Sequence, residues 1–273
     1  MPTDLATWRG ELAAAVAAVE AAGVRVALEV RRPDTVRYGH RADEPARALT
    51  TVKLGVLAEL FRQADAGLLS LDQVHRLRVA ATPAGAGILE HLHDGLELTL
   101  GDLAALMTVA SDAAAADLLV ERLGSDAVIT GLRRMGLTRT ALGSRFGEAP
   151  DAQDVGEPGL AIEPSDGESV TTAQELVALL AALVEGTATT PASARRIISL
   201  LRAAPGTRGS ARHLPAEIGR GGKDAARARV VADVLFADLP DGRLYLAVLL
   251  DGVADEVEGE RLVADLARVA CGF

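Results

Sequence analysis

The chain has 273 residues, 49% of them apolar and 24% charged, with a formal net charge of −10; this is the composition of an ordinary folded protein long enough to bury a sizeable core. The acidic balance and scattered Lys and Arg exclude a nucleic-acid partner, since phosphate backbones are held by clustered basic residues, and no run approaches the ~20 uninterrupted apolar residues of a membrane span. Cys271 is the single cysteine, so no intrachain disulfide forms, and the first residues lack the basic start and uncharged apolar stretch of a secretory signal; together these favour a cytoplasmic protein.

In chain order, residues 4–22 read as an amphipathic helix stopped by Gly23. "VRVALEVR" (24–31) reads as a strand, "RPD" as a turn and "TVRYGHR" as the hairpin partner. A helix is expected over 50–65, then few periodic signals over 76–100. Further helices are expected at 99–110, with Thr99 as N-cap, at 113–124 and at 125–136. Residues 138–170 are polar and rich in Gly, Pro and Asp, the pattern of a functional loop or an insert. Helices resume at 171–186 and 190–204, two strands flank the "PDG" turn of "RVVADVLFADLPDGRLYLAVLLDG", and a helix over 256–269 closes the chain. The expected class is α/β of the α+β sandwich type: an antiparallel sheet from both chain ends flanked by the terminal helices, plus an inserted all-helical subdomain. Residues 1–273 are read as a single domain, with 1–45 and 205–273 as the α/β part and 46–204 as the helical part.

Three short stretches carry chemistry: "TTVK" at 50–53, "SDA" at 111–113 and "KDA" at 223–225. Thr50 and Lys53 are three residues apart and share a helix face. Ser111 and Asp112 precede a helix, where either can cap free amides. In order and spacing the three stretches resemble the S-x-x-K, S-D-N and K-T-G motifs of the serine β-lactamase and penicillin-binding-protein superfamily, nearest its class A β-lactamase-like branch. "GILEHLHDGLELTLGDLAALMTVASDAAAADLLVERLG" and "LPDGRLYLAVLLDG" are similar to that family's wording, so the resemblance spans essentially the whole chain.

The resemblance implies that Thr50 stands at the acylated nucleophile, Lys53 at its base, Ser111 at the proton shuttle and Lys223 at the substrate-carboxylate binder. Each motif departs from the family's. Threonine adds a methyl that restricts χ1, Ala113 replaces a substrate-contacting amide, and Asp224 replaces a threonine. A carboxylate there opposes a bound anion and partly neutralises Lys223. It can act as a general base, hold a substrate ammonium, or pair with Arg227 or Arg229 at the strand edge. The family's deacylating glutamate has four candidates, Glu148, Glu157, Glu163 and Glu168, none in an E-x-x-L-N setting; "SRFGE" (144–148) is the nearest approach. Asp112, Thr51, Ala226, His213 and Arg227 complete the expected substrate-binding set. His91 and His93 lack a third ligand at a telling spacing, and the glycines of "GRGGKDA" follow no phosphate-loop spacing, so neither metal nor cofactor is expected.

Three functions fit these residues. The favoured one is an enzyme of this fold repurposed away from β-lactam hydrolysis. It would use Lys53, Lys223 and Asp224 for proton transfer, elimination or intramolecular cyclisation on a small amine-bearing metabolite, free or tethered to a carrier protein, in bacterial specialised metabolism. The second is a residual acyl hydrolase (esterase, amidase or weak β-lactamase) acting through Thr50 and Lys53. The third is a catalytically silent binding or scaffold protein.

Overall fold

A computed structural model describes residues 4–33, 36–78, 87–143, 145–146, 168–204 and 208–273. Helix α1 (Leu5–Ala21) starts at Asp4, whose carboxylate accepts the amides of Ala6 and Thr7, and leads through Gly23 (φ 84°) into the antiparallel strands β1 (Arg25–Arg31) and β2 (Arg37–His40). After β3 (Ala46–Arg47) and a 3-10 turn over Leu49–Val52 come α2 (Lys53–Asp65), β4 (Val74–Arg76), β5 (Glu97–Thr99), α3 (Leu100–Val109), α4 (Ala113–Leu123) and α5 (Ser125–Arg134). Next are β6 (Val170–Thr171), α6 (Ala173–Val184), α7 (Pro191–Ala203) and the single turn α8 (Arg208–Ala211). The chain ends with β7 (Gly219–Arg227), β8 (Val230–Leu239), β9 (Gly242–Asp251) and α9 (Glu256–Cys271).

Five strands form one antiparallel sheet in the order β2-β1-β9-β8-β7, so both chain ends contribute to it, as expected. The period-2 pattern assigns its faces. On β8 and β9, Val231, Leu235, Ala237, Leu244, Leu246, Val248 and Leu250 join Trp8, Leu12, Leu262 and Leu266 under α1 and α9. Their alternates, Ala232, Val234, Phe236, Tyr245, Ala247 and Leu249, join the core of the helical layer. Because both faces are covered, the two strands read as nearly continuous apolar runs. At about 25 cal/mol per Å² of apolar surface, each large buried side chain contributes about 1.5–3 kcal/mol. The Trp8 indole N–H donates to Ala270 O at 3.1 Å, fixing α1 against α9.

Two expectations need correction. The C-terminal region has three strands rather than two: the glycines of "GRGGKDA" belong to β7, where a Cβ on Gly222 would lie 2.1 Å from Val234 O and one on Gly221 would lie 2.9 Å from the Leu201 carbonyl carbon. Those glycines admit close backbone approach to β8 and α7. The weakly periodic stretch 76–100 holds the small β4–β5 ladder, paired from Val74–Thr99 to Arg76–Glu97, and a 3-10 turn at Leu89–His91. Strands of three residues are too short to display a period. The helix expected from residue 50 also begins as a 3-10 turn and becomes α-helical at Lys53.

Candidate active site

Helix α2 is buried at every position from Lys53 to Phe61, as befits a helix passing through the centre of a helical layer. It carries Lys53 into the interior, with the side chain 1% exposed. The residue before the nucleophile position, Leu49, has φ 48°, and Ser111 has φ 57°. Left-handed backbone at a non-glycine residue costs about 1 kcal/mol or more and persists only where surroundings enforce it. At Ser111 the enforcement is visible. Lys53 Nζ donates to Ser111 O at 2.6 Å and Asp112 O at 3.3 Å, while the Asp112 carboxylate accepts the amides of Ala115 (2.8 Å), Ile88 (2.6 Å) and Leu89 (3.0 Å).

The junction thus held presents the Ser111 hydroxyl between two others' polar atoms. Thr50 Oγ1 lies 3.3 Å from Ser111 Oγ, and Lys223 Nζ donates to Ser111 Oγ at 2.8 Å and to Asp224 O at 3.3 Å. Thr50, Ser111 and Lys223 form one hydrogen-bonded chain, with Lys53 anchored to the backbone of its middle member.

Burial dominates the electrostatics. It pushes the Lys53 ammonium down to about 7; Lys223 pushes the same way, and Asp112 and Asp117 oppose. Burial lowers Lys223 to about 8, with Asp224 and Asp233 opposing. Asp233, fully enclosed on β8, is raised by burial first and by Asp224 second. The Ser210 hydroxyl (2.9 Å) and amide (3.2 Å) favour its charged form, as does Lys223. The Phe146 ring covers Lys53, with its centroid 5.2 Å from Nζ, and the Phe146 amide donates to Asp117 at 2.8 Å.

Thr50, Ala225 and Ala226 line two adjoining cavities. One, of about 190 Å³, is bounded by Arg47, Arg145, Phe146, Glu168 and Arg227. The other, of about 360 Å³, is bounded by Ser111, Lys223, Asp224, Asp233, Glu256 and Glu260.

The structure therefore brings together Thr50, Lys53, Ser111, Lys223 and Asp224, and places Ala226 and Arg227 on the cleft wall. Thr51 and His213 fall elsewhere. Thr51 is fully enclosed and donates to Ala48 O at 2.6 Å, so it closes the 3-10 turn. His213 faces Asp265 of α9 at 3.3 Å and is absent from both cavity walls. Asp112 is buried as the cap just described, so its carboxylate is committed to backbone amides. Arg227 and Arg229, expected partners for Asp224, instead bond Glu168 and the carbonyls of Gly252 and Val253. Of the loop glutamates, Glu168 bridges Arg47 (2.8 Å) and Arg227 (2.9 Å); Glu148, Glu157 and Glu163 lie outside the described residues. No cluster of His, Cys, Asp or Glu suited to a metal occurs among the described residues, and no described helix is long and apolar enough to cross a membrane.

The reading from sequence passed over Phe146, Asp233 and the α9 carboxylates Glu256 and Glu260. Asp233 had a signal: an acidic residue within the apolar run "VVADVLFA" is costly to bury and calls for a reason.

A sequence profile described as the β-lactamase enzyme family matches residues 11–272. Among solved structures, the chain is similar to a β-lactamase from Sphaerobacter thermophilus, at 33% identity over 96% of this chain and 95% of that one, with a TM-score of 0.85. It is also similar in fold to an ancestral class A β-lactamase (24% identity, 96% and 98% covered, TM-score 0.84) and to a PBP-A mutant described as an acyl-enzyme complex with penicillin G (20%, 98% and 96%, TM-score 0.84). With the profile covering nearly every residue and the three motifs converging on one cleft, the chain belongs to the β-lactamase enzyme family.

Proposed function

We propose that this cleft performs covalent acyl transfer, with Thr50 as the nucleophile toward an ester or amide carbonyl. The observation that carries the reading is the hydrogen-bonded chain Thr50–Ser111–Lys223 beside a Lys53 whose pKa sits at about 7. A lysine buried to that degree is half neutral near pH 7 and can accept a proton, whereas Lys223 at about 8 is mostly charged and can donate one. In acylation, the Thr50 oxygen bonds to the carbonyl carbon and its proton passes to the Lys53 amine. As the bond to the leaving group breaks, that group takes a proton from Ser111, which Lys223 replaces. Water then attacks the threonyl ester; one of its protons restores the Thr50 hydroxyl as the acid leaves, and the proton held by Lys53 passes along the Thr50–Ser111 chain to Lys223, so both lysines return to their starting states. The 33% identical Sphaerobacter protein, described as a β-lactamase, supports hydrolysis as the outcome.

Intact-protein mass spectrometry after incubation with an activated ester, nitrocefin or penicillin tests this. A mass increase equal to the acyl group that disappears in Thr50→Ala is the expected result; no adduct and no turnover with any of the three overturns it.

A second reading, non-hydrolytic proton transfer, elimination or cyclisation on an amine-bearing metabolite, draws support from Asp224 and Asp233. They are directly paired in register across β7 and β8 and line the larger cavity with Lys223. Turnover that survives Thr50→Ala but is lost in Lys223→Ala or Asp224→Ala would favour it.

A further inference from the structure

The two lysines of the cleft differ in what can reach them. Lys223 lines the larger cavity beside Thr50 and Ser111. Lys53 lines neither cavity and is 1% exposed, although its neighbours Thr50 and Ser111 both face an opening. Phe146 touches both sides of this divide. It forms part of the smaller cavity's wall with Leu49, Thr50 and Ala225, and its ring covers the Lys53 ammonium, with the centroid 5.2 Å from Nζ.

The ring is placed by its own backbone. The Phe146 amide donates to the Asp117 carboxylate at 2.8 Å, so α4 holds the residue at this spot, and the side chain packs partly buried against the core of the helical layer. The ammonium gives N–H groups to the carbonyls of Ser111 and Asp112, two of the three it carries when charged. What Phe146 adds to its surroundings is a π face without an oxygen.

Two effects of the ring oppose each other. Its face attracts the ammonium, which alone would raise the pKa by a fraction of a unit to about one and a half units. At 5.2 Å, near the outer limit of about 6 Å for this attraction, the smaller figure applies. Its bulk excludes water, and dehydration of a fully buried ammonium lowers the pKa by up to about 3–5 units. Exclusion wins, in keeping with a Lys53 lowered to about 7 chiefly by burial. The charged groups bearing on Lys53 are Lys223 from β7, Asp112 from the α3–α4 junction and Asp117 from α4. A replacement at Phe146 leaves all three in place, since the bond to Asp117 comes from the backbone. Around the smaller cavity, Arg145 is the chain neighbour of Phe146, and Arg47 and Arg227 are both tied to Glu168.

We infer that Phe146 is a positioning residue for the general base: its ring seals Lys53 from cavity water and so keeps the amine able to take a proton from Thr50. The identity of that proton donor rests on the acyl-transfer reading; the sealing of Lys53 does not.

Lys53 and Lys223 are the only lysines in the sequence, so protein grown with lysine carrying carbon-13 at Cε gives two side-chain NMR signals, and the one missing from Lys53→Met belongs to Lys53. In the parent that signal should titrate near 7. Phe146→Ala, which lets water in, should raise the midpoint by about one pH unit or more, and Phe146→Leu, which keeps apolar bulk and lacks the π face, by less than half as much. Phe146→Gln, similar in size to leucine but carrying an oxygen, should match alanine and replaces it in the test should that variant fail to fold. Lys223 should hold its midpoint or fall slightly, because Lys53 then stays charged to higher pH. An unmoved or lowered Lys53 midpoint in Phe146→Ala or Phe146→Gln, or an equal rise in Phe146→Leu, overturns the inference whatever reaction the cleft performs.

The second readout is acylation by a neutral phenyl ester, followed by mass. With the Lys53 midpoint one unit higher, Phe146→Ala should acylate about tenfold more slowly than the parent at pH 6, and the gap should close by pH 9. A merely structural loss slows the reaction equally at both, and that result overturns the positioning role. A raised midpoint in a protein that never acylates overturns acyl transfer and leaves the sealing of Lys53 standing.

Discussion

Lys53 and Lys223 reach the same serine from opposite layers of the molecule, and their surroundings differ in one respect. At the mouth of α2, Lys53 meets two carbonyl oxygens, of Ser111 and Asp112, and the face of Phe146. On β7, Lys223 meets the Ser111 hydroxyl and the Asp224 carbonyl, with the carboxylates of Asp224 and Asp233 favouring its charge. Both residues are almost fully buried, so desolvation lowers both, and two carboxylates oppose it in each case, Asp112 and Asp117 at Lys53 and Asp224 and Asp233 at Lys223; the charge of Lys223 lowers Lys53 further, to about 7 against about 8. Neighbouring charge, more than depth of burial, thus separates the two lysines in the base and acid roles proposed for them.

The comparison can be broken at several points. Thr50→Ala removes the group on which both lysines act and should lower acylation by about 10⁴-fold, read as loss of the mass adduct. Lys53→Met should lower acylation by about 10³-fold and raise stability. The sign follows from the depressed pKa. Between about pH 7 and 10.5 the unfolded chain holds a proton that the folded chain has released, so the stability of the native protein climbs with pH through that window. The methionine variant should therefore gain most over the parent below pH 7, by up to about 5 kcal/mol, and little above pH 10.5, measured by urea unfolding at several pH values. A gain independent of pH would show that Lys53 is not desolvated.

Asp112→Ala should cost about 3 kcal/mol, since three backbone amides lose their acceptor. It should also release the strained Ser111, seen as a lower unfolding midpoint together with weakened acylation; a normal midpoint would contradict the role of cap. The pH dependence of kcat/KM sharpens the contrast between the lysines. Activity should rise about tenfold per pH unit below about 7 as Lys53 loses its proton and fall above about 8 as Lys223 loses its own. The smallest effect is that of Thr50→Ser, which removes a methyl and its χ1 restriction and should speed acylation by about tenfold.

Much of this was legible in the chain. The spacing of Thr50 and Lys53, the apolar run of β1, the paired runs of β8 and β9, and the helix stop at Gly23 are local patterns, and local patterns are governed by backbone geometry that neighbours in sequence set. The fold class followed from them, while Thr50, Lys53, Ser111 and Lys223 were singled out by the resemblance of their three stretches to the family's motifs. The edge strand β7 was less legible because its first five residues, "GRGGK", show no apolar alternation; its register is imposed by β8. His213 near the third motif looked suited to the cleft and instead turns to Asp265, a partner on a helix formed much later in the chain.

What only the tertiary structure decided is how charge is placed. Ser111 meets Lys223 across 112 residues and Lys53 across 58, and Asp112 caps amides 24 residues away. Sequence supplies the ionisable groups and their local periodicity. Their protonation depends on desolvation and on charges that packing brings within a few ångströms, so the division of the cleft into an acidic and a basic half arises only when β7 is laid between α9 and the 168–170 segment.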